Sequence, residues 1–98
     1  MNRLPVTRTD RAEEDLVEIW LYIAHENPAA ADRVLDEIDA RLQELSLMPL
    51  SGPARGDFLA GTRHLVIGNF LALYRVEETG VVVTRVMHGK RDIRPDDL

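Results

Sequence analysis

The sequence predicts an α+β fold with the element order β-α-α-β-β-β, a helical hairpin packed on one face of an antiparallel sheet. Three observations lead there. Two consecutive segments of the first half carry apolar residues at helical spacing and are joined by only one or two residues. Three strand-length apolar runs in the second half are separated by short glycine-containing turns. A length of 98 residues suits a single domain spanning 1–98, because a chain of this size buries enough surface for one core but not two.

Arg3 to Arg8 is expected as an opening strand, with Pro5 at its start or on a sheet edge because it lacks an N–H. Thr9 or Asp10 can cap the first helix, Asp10 and Glu13 have capping-box spacing, and Glu13, Glu14 and Asp15 put negative charge near the positive end of the helix dipole. Ala12, Leu16, Ile19, Trp20 and Ile23 form one apolar stripe, which places Trp20 in the core, and the helix is expected to reach about Glu26. Asn27-Pro28 opens a second helix, since Asn caps well and Pro is tolerated at the first helical position. Its stripe is Ala31, Val34, Leu35, Ile38, Leu42 and Leu45, and it stops before Pro49. So short a junction requires the two helices to fold back on each other.

Residues 49–61 contain two Pro and three Gly and form the one long loop. Strands are expected at 62–67, 70–76 and 81–88, with Gly68-Asn69 and Glu77-Glu78-Thr79-Gly80 as the turns. Phe70-Leu71-Ala72-Leu73-Tyr74 is apolar at successive positions, as a strand covered on both faces requires, and Tyr74 is expected to be structural.

Composition narrows the function. With no cysteine there is no disulfide framework, thiolate nucleophile or cysteine-based metal site. The absence of a long apolar run and of a signal-like N-terminus points to the cytoplasm, with no membrane association. A net charge of −5 argues against direct DNA binding by this chain. The charge is uneven: residues 1–48 carry 5 basic and 11 acidic groups, and residues 49–98 carry 7 basic and 6 acidic groups.

No hydrolytic motif is present. Ser46 and Ser51 lack a nucleophile-elbow context, and His25, His64 and His88 have no partner at i+3 or i+4, so neither a metal nor another cofactor is expected. The glycines of the loop do not have phosphate-cradle spacing. What stands out is a basic group, Arg63, Arg75, Arg85, His88, Lys90 and Arg91, in an otherwise acidic chain. Planar guanidinium groups suit phosphate or carboxylate. The plainer alternative is that each is an ordinary sheet residue paired with Glu77, Glu78 or Asp92. Tyr22 points away from the apolar stripe, toward a groove beside the sheet.

Several stretches resemble ParE-type toxins of the RelE/ParE superfamily. They are Asp15-Leu16-x-x-Ile19-Trp20-x-Tyr22-Ile23-Ala24, Asn27-Pro28-x-Ala30-Ala31, Pro49-x-x-Gly52-x-x-Arg55, Gly61-x-Arg63-x-Leu65, Gly68-Asn69-Phe70-Leu71-x-x-Tyr74-Arg75-Val76 and Arg85-Val86-Met87-His88-Gly89-x-Arg91-Asp92. The resemblance covers nearly the whole chain. It implies the toxin of a bacterial type II toxin–antitoxin pair, neutralised by a ParD-like antitoxin and inhibiting DNA gyrase by binding, without an active site of its own. The RelE-type alternative is a ribosome-dependent mRNA endoribonuclease, and a third reading is a degenerate member that only binds antitoxin. The RNA-cleaving branch uses strand cations, an Arg after the last strand and a C-terminal Tyr. In this chain Arg63 and Arg91 could supply two cations and His88 a base, but Leu71 stands where a strand Arg is expected, and no Tyr follows Arg91. On this resemblance His88, Lys90 and Arg91 are the candidate target contacts, and Tyr22, Arg63, Arg75 and Arg85 the candidate contacts to an acidic antitoxin tail received between hairpin and sheet.

Overall fold

A computed structural model describes residues 3–89. Lys90 and Arg91 therefore lie outside the described residues. The elements are β1 (Val6–Arg8), α1 (Asp10–Ala24), α2 (Pro28–Gln43), a short 3₁₀ turn (Glu44–Ser46), β2 (Arg63–Ile67), β3 (Phe70–Glu77) and β4 (Gly80–His88). The expected order is thus observed. β1 is shorter than the expected segment because only Val6–Arg8 stay in register with β4, and α1 stops two residues before Glu26.

Thr9 caps α1: its hydroxyl oxygen accepts from the N–H of Ala12, and Asn27 does the same for Ala30 at the start of α2. Each cap satisfies one of the amide groups that a helix start leaves without a partner. Pro28 occupies the first position of α2, where its missing N–H costs nothing.

The sheet order is β1-β4-β3-β2. The meander β2-β3-β4 is antiparallel, as expected, whereas β1 adds to β4 in parallel, so the sheet is mixed. The parallel pairing follows from connectivity: the helical hairpin and two meander strands intervene before β4 passes beside β1. The Gly68-Asn69 turn joins β2 to β3, with Gly68 at φ +57°, a conformation that glycine adopts without penalty.

Ala12 and Leu16 of α1, Ile38 and Leu42 of α2, Leu45, and Ala72, Tyr74, Val81, Val83 and Val86 of the sheet form the main core. The other apolar positions of β3 serve a second, smaller cluster, in which Leu71, Leu73 and Met87 are covered by Phe58 from the 49–61 loop. That division explains why the central strand is apolar at successive positions. Tyr74 is fully buried and structural: its hydroxyl donates to Pro49 O (2.8 Å) and accepts from the Gly52 N–H (2.9 Å). Trp20, by contrast, is only half-buried rather than a core residue, because its indole N–H reaches Asp32 on α2 (2.8 Å) and keeps one edge of the ring at the surface. Among the described residues no helix is long and apolar enough to cross a membrane.

Candidate functional site

Beside the sheet, α1 and the start of α2 diverge from the ends of β3 and β4 and leave a groove of about 490 Å³. Its walls are mainly apolar: Ile19 and Ile23 of α1, Val34 of α2, and Phe70, Val86 and Met87 of the sheet. Tyr22 stands on its rim with 85% of its surface exposed, an aromatic ring left uncovered beside the apolar walls. His88 lies across the groove and meets the Phe70 ring edge-on, with centroids 5.7 Å apart. An apolar trough of this size with a protruding aromatic suits a peptide segment better than a small polar substrate.

One wall is held by a buried ion pair. Asp15 and Arg85 are each 3% exposed, and the Asp15 carboxylate accepts from Arg85 Nε (2.7 Å) and Nη2 (3.1 Å) and from the backbone N–H of Val86 (2.9 Å). The reason lies in the register. β1 pairs with β4 only from Val81 to Val83, and Thr9 takes over the next step by donating its N–H to Val83 O and its hydroxyl to Thr84 O. The N–H of Val86 lies beyond that reach, and Asp15 supplies the acceptor from α1. Asp15 thus ties the helical hairpin to the last strand at the groove wall. Arg85 is corrected accordingly: it is a buried structural cation, not a surface contact for an acidic tail.

The remaining sequence-derived contacts separate. Tyr22 and His88 come together in the groove. Arg63 sits at the opposite end of the sheet, where its guanidinium donates to the carbonyls of Gly52 (2.7 Å) and Leu50 (3.4 Å) and so binds the loop. Arg75 pairs with Glu77 on its own strand (3.1 Å), which is the plainer of the two readings for that residue. Arg63 faces Tyr74 across β2–β3, and His88 faces Phe70 across β3–β4. Four residues along β3 and two strand spacings put the backbones of Arg63 and His88 roughly 16 Å apart.

Three residues that matter here are not singled out as site residues by the sequence: Asp15, Glu18 and Arg55. Asp15, Glu18 and Tyr22 share one side of α1 by their i, i+3, i+7 spacing, which was the available signal for the first two. Arg55 fastens the long loop. It lies 3.7 Å above the Phe58 ring, makes a two-pronged pair with Asp57 (both contacts 2.9 Å) and approaches His64 Nδ1 at 3.5 Å. Hydrogen bonding to Arg55 holds the Asp57 carboxyl below its ordinary value, and burial together with the Arg55 charge lowers the pKa of His64. Among the described residues no group of three or more His, Asp or Glu side chains could hold a metal ion.

Comparison with known proteins places this fold among the toxins of toxin–antitoxin systems. Residues 6–93 match the family described as the ParE toxin of the type II toxin–antitoxin system, parDE. The chain belongs to the ParE toxin family and is the toxin of a type II toxin–antitoxin system. A relative in Sinorhizobium fredii (strain NBRC 101917 / NGR234), named "Putative toxin Y4kP", is 35% identical over 91 residues, which are 90% of this chain and 91% of that protein. Among solved structures, the chromosomal ParDE system of P. aeruginosa superposes with a TM-score of 0.76 at 22% identity, over 88% of this chain and 96% of that one. The RelBE2 toxin–antitoxin complex of Mycobacterium tuberculosis gives a TM-score of 0.64 at 30% identity, over 90% and 93% of the two chains.

Proposed function

We propose that this toxin inhibits DNA gyrase by binding rather than by cleaving RNA. The observation that carries the reading is the separation of Arg63 from His88. Metal-free RNA cleavage needs a base at the 2′-hydroxyl and cations at the phosphate within hydrogen-bond reach of one another. With their backbones roughly 16 Å apart and the Arg63 guanidinium held by the Gly52 carbonyl, Arg63 and His88 are poorly placed to act together at one phosphate. The sheet face beyond the helices supports the same reading, since Leu71, Leu73 and Met87 there form an apolar cluster closed by Phe58. A phosphate backbone gains nothing from such a surface.

Purified toxin added to gyrase and relaxed plasmid at micromolar concentration is expected to block supercoiling. Full supercoiling, combined with new primer-extension stops on a translated message, would move the chain to the ribonuclease reading.

The antitoxin partner is assigned to the groove beside the sheet. Its apolar walls and exposed Tyr22 suit an amphipathic segment that folds on contact, the ordering cost of which is offset by burying these side chains. Arg63 and Arg75 lie too far along the sheet, and are too engaged with their own partners, to contribute to that groove.

A further inference from the structure

We infer that the groove selects a partner segment bearing a basic side chain next to its apolar anchors, with Glu18 as the specificity-determining contact. The inference rests on the reading of the groove as the antitoxin site and concerns the chemistry of what enters it. The resemblance implies an acidic tail, and Arg63, Arg75 and Arg85 are the contacts expected to receive it in the groove. They do not: Arg85 is consumed by Asp15 inside the wall, Arg63 holds the loop carbonyls at the far end, and Arg75 holds Glu77.

Among the described residues, Asp15, Glu18 and His88 are the acidic and basic side chains that line the groove. The Asp15 charge is neutralised by a two-pronged guanidinium and shielded from solvent. Glu18 is different. Its side chain is 70% exposed, and its salt-bridge contact is Arg11 at 4.0 Å, longer than a hydrogen bond. Arg11 makes its short contact to Glu14 instead (3.1 Å). Glu18 therefore presents a carboxylate at the mouth of an apolar trough, one helical turn from Tyr22. A ligand lysine or arginine could lay its stem along the trough wall and place its charge on Glu18. An acidic residue at the same point would meet repulsion, so the contact discriminates by rejection as well as by attraction.

The test uses the purified full-length toxin and the antitoxin encoded beside it, titrated at 50 and 300 mM NaCl. The variants are Glu18→Gln, Glu18→Lys and Tyr22→Ala, all at exposed positions whose replacement leaves the core intact. Expected is a loss of affinity on the order of tenfold for Glu18→Lys and a smaller loss for Glu18→Gln. The Glu18 effects should shrink at high salt, whereas that of Tyr22→Ala should persist. If Tyr22→Ala weakens binding while Glu18→Lys leaves it unchanged or tightens it, the groove holds the antitoxin but the basic-segment inference is overturned. If neither Tyr22→Ala nor Glu18→Lys has an effect, the groove assignment itself falls.

Discussion

At the scale of single residues, the Asp15–Arg85 pair is the contact on which the most depends. Removing Asp15 leaves the buried Arg85 charge without its carboxylate and strands the Val86 N–H at the uncovered end of β4. Removing Arg85 leaves Asp15, among the described residues, with only the distant Arg11 (4.0 Å) as a cation. Arg85→Ala is therefore expected to cost about 3–5 kcal/mol of stability, measured by urea denaturation. A loss below about 1 kcal/mol would mean that the pair is far better solvated than its burial implies. The two residues are 70 positions apart, and the acid was legible only as one of several carboxylates near a helix start. Arg85 interrupts an apolar alternation in β4, which marks it as unusual but does not name its partner.

At the scale of elements, the 49–61 loop is where sequence reasoning had least to work with. It is a proline- and glycine-rich connection by composition, yet it is held by specific contacts. Gly52 packs so closely against the His64 carbonyl and the Tyr74 ring that a Cβ there would collide with both. Tyr74→Phe would leave the Gly52 N–H and Pro49 carbonyl without their shared partner, so a loss of about 1–3 kcal/mol is expected in thermal or chemical denaturation. A second expectation concerns pH. The His64 pKa is lowered in the native protein from its ordinary 6.5, first by burial and then by Arg55, with Asp57 opposing. The unfolded chain therefore binds the proton more readily than the folded one. The His64 contribution to stability is fully present above pH 6.5 and is lost as the pH drops from there through the native pKa. His64→Gln should flatten that part of the profile; an unchanged slope would show that another group is responsible.

At the scale of the whole molecule, the acidic hairpin and the sheet meet at the groove, and in the sequence Lys90 and Arg91 follow His88 and Gly89. Of the proposed target contacts, His88 lines the groove together with Tyr22 and Glu18, so a test of the target surface by itself is made at Lys90 and Arg91. The double variant Lys90→Glu, Arg91→Glu is expected to abolish growth inhibition while still co-purifying with antitoxin. Retained toxicity would remove the basic run from the target surface. Simultaneous loss of antitoxin capture would mean that the two surfaces overlap.

The sequence by itself determined the order of the elements, both helix starts, the meander turns and the two-sided burial of β3. These are consequences of local chemistry: caps, a proline at a helix start, a glycine at positive φ, and the period of the apolar residues. It also singled out Tyr22 by its departure from the apolar stripe. Only the tertiary structure decided which basic residues are available. Arg63, Arg75 and Arg85 look alike along the chain, but the register β1-β4-β3-β2 sends one to a loop, one to a neighbouring glutamate and one to a buried carboxylate. A guanidinium is spent on whatever acceptor the fold brings within about 3 Å, and that distance is set by pairing between residues far apart in sequence. For the same reason the arginines expected at one site are dispersed, while the groove beside the sheet is apolar with a glutamate at its mouth.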